Sequence, residues 1–238
     1  MISDSLFRRF YPDQSRDSAV IFYSWVRGFT SPKTVLLNLG AGPPADRGIG
    51  NLRGEVAKVV GADPDPEVMH NRDLDEAYVI SGDGPLPFED NSFDLVLSDW
   101  VLEHVEAPAR FLAEVQRVLK SGGSFFFRTP NKSHYVALIA RMTPHWCHEL
   151  VANWARGYGP GEHDPWPTVY RLNSSRTIKA EAYRAGFRTV ELKMLEPQPK
   201  YLVFHPIPFV VGVGYERIAN RYEFLSGVRG NIFGRLVK

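Results

Sequence analysis

The stretch "TVLLNLGAG" (34–42) constrains this chain most. A short apolar, partly β-branched run with no polar alternation is a strand buried on both faces. Such strands belong to parallel sheets covered by helices on both sides. The run ends in two glycines one residue apart, Gly40 and Gly42. Backbone without Cβ at the C-terminal end of a strand lets a ligand come close.

The rest of the chain supports that architecture. "VAKVVGAD" (56–63), "AYVIS" (77–81), "FDLVLSD" (93–99) and "SFFFRT" (124–129) read as four further strands. Residues 17–29 carry apolar side chains at helical spacing, and Pro32 closes them off. Residues 107–120 form a second helix: Pro108 suits its first turn, Phe111, Leu112, Val115, Val118 and Leu119 make one stripe, and "SGG" stops it. Strands alternating with helices or long crossovers give a parallel α/β sheet. After Pro130 the pattern breaks. Residues 143–172 gather Trp146, Trp154, Trp166, His145, His148 and His163 and read as an insertion. Regular structure resumes with a helix over 174–187, capped by Ser174 or Ser175 and ended by Gly186. A strand over 187–195, a second interruption over 197–229 and a last strand over 231–237 complete the chain.

Length and composition exclude several classes. A chain of 238 residues can bury one substantial core. The formal net charge of +1 points away from nucleic acid as a partner. The single cysteine, Cys147, makes no internal disulfide. No apolar run approaches the roughly 20 residues that span a bilayer. The expectation is a cytoplasmic protein.

The loop "NLGAGPPADRGIG" (38–50) reads two ways. "GAGPPA" satisfies the loose dinucleotide fingerprint, and Asp63 stands where an acidic residue would accept from ribose hydroxyls. A glycine pair at a strand end is equally a bare tight turn. The stretch "SGDGPLPFEDNSFDLVLSDWVLEHV" (81–105) discriminates between them. It puts Gly-Asp after the third strand, then Leu-Pro-Phe, then a Phe-Asp strand start. With "NLGAG", "GADPDP" and "RVLKSGG" in matching order from about Thr34 to Pro130, the chain resembles the class I S-adenosylmethionine-dependent methyltransferases. Within them it is most similar to the branch that methylates small molecules.

The resemblance implies a Rossmann-like open sheet of about seven strands, mostly parallel with the last antiparallel. It implies helices on both faces and an inserted cap on the acceptor side. The implied organisation is one domain: an N-terminal helical segment (1–32), a cofactor-binding core (33–130), an insertion (131–173) and a C-terminal part (174–238). S-adenosyl-L-methionine would lie across the C-terminal strand ends. Carried onto this chain, Gly40, Ala41 and Gly42 line its methionine part, and Asp63 holds the ribose hydroxyls, with Asp65 as rival. Pro64 lies against the adenine, Asp83 accepts from its amino group beside Gly84, and Ser98 passes its backbone near the sulfonium. Two residues depart from the family pattern. Asn38 replaces the usual acidic residue, so a negative charge is missing while an acceptor oxygen stays. Pro44 replaces a third glycine. Pro43 and Pro44 supply no backbone donors, and "DRGIGNLRG" is too rich in glycine for a helix interior. The first helix is therefore expected to be short or replaced by a loop.

Methyl transfer from a sulfonium is a direct displacement in which positioning supplies much of the rate. A general base is needed only when the acceptor keeps its proton. His104 is the candidate base, against the ordinary alternative of a structural histidine. Asp99 and Trp100 are candidates for acceptor contact. The insertion adds His134, His145, Tyr170 and Arg171. "HWCH" (145–148) with His163 matches no standard zinc spacing, so no metal is assigned. The apolar stretch "YLVFHPIPFVVGVG" (201–214) is open to four uses: core packing, a lid, a homodimer patch or a membrane-surface contact.

The expected activity is methyl transfer to a hydroxyl or amine of a small-molecule or saccharide-like acceptor. Two other readings compete. A nicotinamide-dependent oxidoreductase rests on "GAGPPA" and Asp63. A non-catalytic partner that keeps the fold rests on Asn38 and the prolines.

Overall fold

A computed structural model describes residues 2–43, 48–82, 84–135 and 167–238. Two short helices, α1 (Asp4–Phe10) and α2 (Ser18–Arg27), precede the first strand. Then come β1 (Val35–Leu39), β2 (Lys58–Asp63), β3 (Glu76–Val79), β4 (Phe93–Asp99), α3 (Pro108–Val118) and β5 (Leu119–Pro130). Past residue 166 follow α4 (Ser175–Arg184), β6 (Thr189–Leu195), α5 (Pro206–Arg221) and β7 (Asn231–Val237).

The seven strands form one sheet in the order β3-β2-β1-β4-β5-β7-β6. β3, β2, β1, β4 and β5 run parallel to one another, with Asn38 level with Gly61 on one side and Leu97 on the other. β7 runs antiparallel to β5. Gly122 N–H and Lys238 N–H bond carbonyls of Lys238 and Gly123 at one end, and Asn131 N–H bonds Gly230 at the other. The order reverses between β1 and β4, which makes a crevice at their C-terminal ends. Leu36, Leu37, Val96, Phe125, Phe126 and Phe127 are fully buried, as an apolar run without alternation requires.

The chain divides into two compact units. One takes residues 22–130, 168–193 and 232–238 and carries the sheet; the other takes 1–21, 131–167 and 194–231. In the sheet unit α3 ends at Val118, two residues short of the sequence expectation. Leu119 turns extended and pairs with Phe93, so β5 starts where the helix stops. Gly122, at φ +78°, makes the turn inside the lengthened strand. In the other unit the expected interruption at 197–229 contains the sixteen-residue helix α5. Pro206 and Pro208 sit in its first turn, where a missing N–H costs nothing, and the His205 ring accepts from Ile207 N–H. Phe7, Phe10 and Tyr11 gather on its buried Phe209. Ile207, Val211 and Ile218 lie on its opposite, exposed face.

No helix of the described residues is long and apolar enough to cross a membrane.

Candidate active site

Between β1 and β2 the described residues form turns and no helix, as the prolines and glycines imply. Side chains from elsewhere hold this irregular crossover. The Arg27 guanidinium on α2 donates to the carbonyls of Ile49 and Asn51 and pairs with Glu55. Tyr23, one turn earlier, packs against Gly50 so closely that a Cβ there would stand 2.8 Å from the phenol ring.

The glycine turn is fixed from both sides. Gly40 N–H bonds the Ala62 carbonyl. Gly40, at φ +84°, lies so close to Val101 that a Cβ would approach its methyl to 2.2 Å. The Asp63 carboxylate accepts from Gly42 N–H at 2.8 Å and from Asp65 N–H at 2.8 Å. The Asn71 amide reaches the carbonyls of Ala41 and Gly42. Gly42, at φ +55°, faces open space: no described atom lies within 4 Å of where its Cβ would stand. A backbone held open in this way fits a ligand that packs against the turn itself.

Two cavities flank the turn. Strand alternation sends Asn38 and Leu39 to opposite faces of the sheet, and each lines its own cavity. Leu39, Ile80, Gly82, Gly84, Leu86 and Phe111 line one of about 360 Å³, counting its open mouth. Pro64 lies against Gly82 beside it. Tyr23, Asn38, Gly40, Ala41, Asn71 and Asp99 line the upper part of the other, about 720 Å³ counted the same way. Its floor is apolar, with Leu36, Val59 and Leu97. This second space lies where a regular helix after β1 would cover the sheet.

At the end of β4 a charged cluster follows. Arg128 of β5 grips Asp99 with two bonds, 2.6 and 2.7 Å, and the Tyr23 hydroxyl donates to the same carboxylate at 3.2 Å. Burial and the Asp99 charge push the Tyr23 phenol well above its ordinary pKa, so it stays a donor. The Arg128 guanidinium stacks on the indole of Trp100 at 5.2 Å. Trp100 has φ +60°, an uncommon conformation for a large side chain, held by its N–H to the Arg128 carbonyl. The residue is 39% exposed.

The sequence singled out Glu103's neighbour and missed Glu103 itself. The Glu103 carboxyl is buried and meets the Thr129 hydroxyl at 3.1 Å. Thr129 accepts from Asn173, whose amide also bonds the Pro130 carbonyl. Desolvation pushes the Glu103 carboxyl up to about 7. Its backbone carbonyl accepts from Val169 and Tyr170 N–H. No local pattern marks Glu103 as special, because its partners come from residues 26, 66 and 67 positions away.

The remaining candidates are distributed as follows. Asp63 is 8% exposed, and each carboxylate oxygen already holds one loop N–H, so one acceptor position per oxygen is left for another donor. Asp65 caps the short 3-10 turn at Pro66–His70. The Ser98 hydroxyl is buried on the Leu39 carbonyl. His104 is half-buried in the turn after β4, its N–H on Val101. Tyr170 has φ +51°, and Arg171 donates to the Glu106 carbonyl at 2.6 Å. His134 belongs to the other unit, buried with its ring nitrogen 3.0 Å from Glu196. Asp83 and His145 lie outside the described residues, as do Pro44, Cys147, His148 and His163.

Comparison with known proteins fits this geometry. A family model described as a methyltransferase domain matches residues 37–127. The thiol S-methyltransferase TMT1B of Rattus norvegicus is 32% identical over 191 residues, covering 74% of this chain and 69% of that protein. An uncharacterized methyltransferase of Mycobacterium tuberculosis is 32% identical over 129 residues. That match covers 48% of each chain, so this chain spans about half the length of its mycobacterial relative. A methyltransferase structure from Archaeoglobus fulgidus superposes with a TM-score of 0.56 at 15% identity, over 98% of this chain and 99% of that one. At that identity the last match speaks for the fold. The ordered motifs, the reversed strand order with β7 antiparallel, and the relative matched over two thirds of its length agree: the chain belongs to the class I S-adenosylmethionine-dependent methyltransferases.

Proposed function

We propose that this protein transfers a methyl group from S-adenosylmethionine to a heteroatom of a small-molecule acceptor. The observation that carries the reading is the open turn at Gly40–Gly42, fixed by Asp63 and Asn71 between two cavities on opposite faces of the sheet. An elongated ligand can cross the turn with one end in each cavity. The proposed arrangement places the adenine end beside Pro64, Gly82 and Gly84, with Asp83 accepting from it, and the amino-acid end beside Asn38, Gly40 and Ala41. Asp63 keeps a free acceptor position on each oxygen for the ribose hydroxyls.

The cofactor, when bound, supplies an activated methyl on a sulfonium. The chain's part is to orient and to shield. The buried Ser98 hydroxyl locks the end of β4 onto β1 and fixes the backbone at the reacting end. Trp100 stands just beyond and is the proposed contact for the acceptor. The proposed acceptor presents a hydroxyl or an amine. A thiol joins them on the strength of the rat relative's name. A hydroxyl keeps its proton at neutral pH, and His104 is then the proposed base. A thiol has a pKa of about 8.5, far below that of a hydroxyl, and depends less on a base.

Calorimetry tests the reading. S-adenosylmethionine and S-adenosylhomocysteine are expected to bind, and NAD and NADP are not. Binding of a nicotinamide cofactor without either sulfur cofactor would reverse the assignment to an oxidoreductase. Binding without methyl transfer to any of a panel of alcohols, amines and thiols would favour the non-catalytic partner.

A further inference from the structure

The cavity on the Asn38 face carries a chemical requirement. An α-amino acid end brings an ammonium and a carboxylate, so its cradle needs an acceptor for the first and a donor for the second. Asn38 is neutral, and its carboxamide makes no side-chain hydrogen bond among the described residues, although it stands on the cavity wall. Asp73 and Asp99 also line this cavity. Asp73 sits just before β3, one residue from Leu74 on its floor, and accepts from Asn51. Asp99 sits at the C-terminal end of β4. It is two positions beyond Leu97, the partner of Asn38, and therefore on the same face. Two residues further on, Val101 touches Gly40, which brings this end of β4 against the glycine turn.

Asp99 also has capacity. A carboxylate offers about four acceptor positions. Arg128 takes one on each oxygen and Tyr23 takes one on Oδ2. One position on Oδ1 is left. The same three contacts hold the carboxylate still, so an incoming ammonium meets a fixed acceptor at no further ordering cost.

We propose that Asp99 accepts a hydrogen bond from the ammonium of the cofactor's amino-acid end, while the Asn38 amide donates to its carboxylate. The binding carboxylate of this site then stands on β4 and the residue at the end of β1 is a neutral donor. Asp99 thereby becomes a cofactor residue, whereas the sequence assigned it to the acceptor. The inference rests on the methyltransferase reading of the same site.

Two probes separate the proposal from that reading: S-adenosylhomocysteine, which has the amino-acid end, and 5′-methylthioadenosine, which lacks it. Both are expected to bind the wild-type protein in calorimetry, the first more tightly. Asp99→Asn is expected to weaken S-adenosylhomocysteine about tenfold, the scale of one hydrogen bond to a charged group, and to leave 5′-methylthioadenosine unchanged. Adding Asn38→Asp to that variant also removes the donor to the ligand carboxylate and is expected to weaken S-adenosylhomocysteine further. Should Asp99→Asn not fold, Asn38→Asp alone carries the test. It replaces the proposed donor with a carboxylate and is expected to weaken S-adenosylhomocysteine severalfold without affecting the other probe; tighter binding would put the ammonium at residue 38 and overturn the proposal. Equal loss of both probes, or loss of neither, overturns the proposal and leaves the methyltransferase reading standing. A wild-type protein that binds neither probe overturns both.

Discussion

The Asp63 carboxylate at the end of β2 accepts the Gly42 N–H of the turn after β1 at 2.8 Å, joining residues 21 positions apart. Its other oxygen holds Asp65 N–H at the same distance. One buried side chain thus sets the shape of two loops. Asp63→Asn replaces one acceptor oxygen with a donor and leaves one of those N–H groups without its partner. We expect a loss of about 1–3 kcal/mol of stability and at least tenfold weaker S-adenosylhomocysteine binding. Thermal unfolding and calorimetry on one preparation check both.

Gly40 tests the close approach directly. Alanine there must adopt φ +84° and drive its methyl into Val101. The expected cost is about 1–3 kcal/mol, accompanied by loss of cofactor binding. The double variant Gly40→Ala/Val101→Ala removes the steric part and should regain part of the stability. An unchanged melting temperature in the single variant would contradict the packing described.

Glu103 predicts a pH dependence with a definite sign. Its carboxyl titrates at about 7 in the folded protein against an ordinary 4.5, because burial disfavours its charge. The folded state therefore holds the proton over a range where the unfolded chain has released it. Stability is full below pH 4.5, falls as the pH rises from 4.5 to about 7, and is flat above. The total is about 3 kcal/mol. Glu103→Gln cannot ionise, so this slope should vanish and the variant should be the more stable above pH 7. Urea titrations at closely spaced pH values read the slope.

The two faces of α5 should respond in opposite ways. Phe209 is fully buried under α1, and Phe209→Ala is expected to cost about 3–5 kcal/mol. Ile207 is 69% exposed on the other face, and Ile207→Ser is expected to change stability by less than about 0.5 kcal/mol. Chemical denaturation distinguishes the two outcomes without knowledge of any ligand.

Much of the sheet was legible because a strand buried on both faces announces itself locally. "FDLVLSD" became β4 residue for residue, and of the two serines offered as a cap for α4, Ser174 is the one that caps it. The boundary of α3 was less legible. Leu119 continues the helical stripe, yet pairing with Phe93 outweighs two residues of helix propensity. The helix α5 was hidden by its two prolines, which break helices in the interior but are tolerated in the first turn.

The sequence by itself determined the order of the strands along the chain, the glycine turn, and the departure from a regular helix after Pro43. These depend on neighbours within a few positions: apolar runs, backbone freedom and missing donors. Only the tertiary structure decided what the polar residues do. Tyr23, Asp99 and Arg128 meet across 105 positions, and Glu103, Thr129 and Asn173 across 70. Whether a carboxylate is a free ligand, half of an ion pair or a protonated buried acid depends on which charges and donors surround it. Those surroundings exist only once distant strands lie side by side.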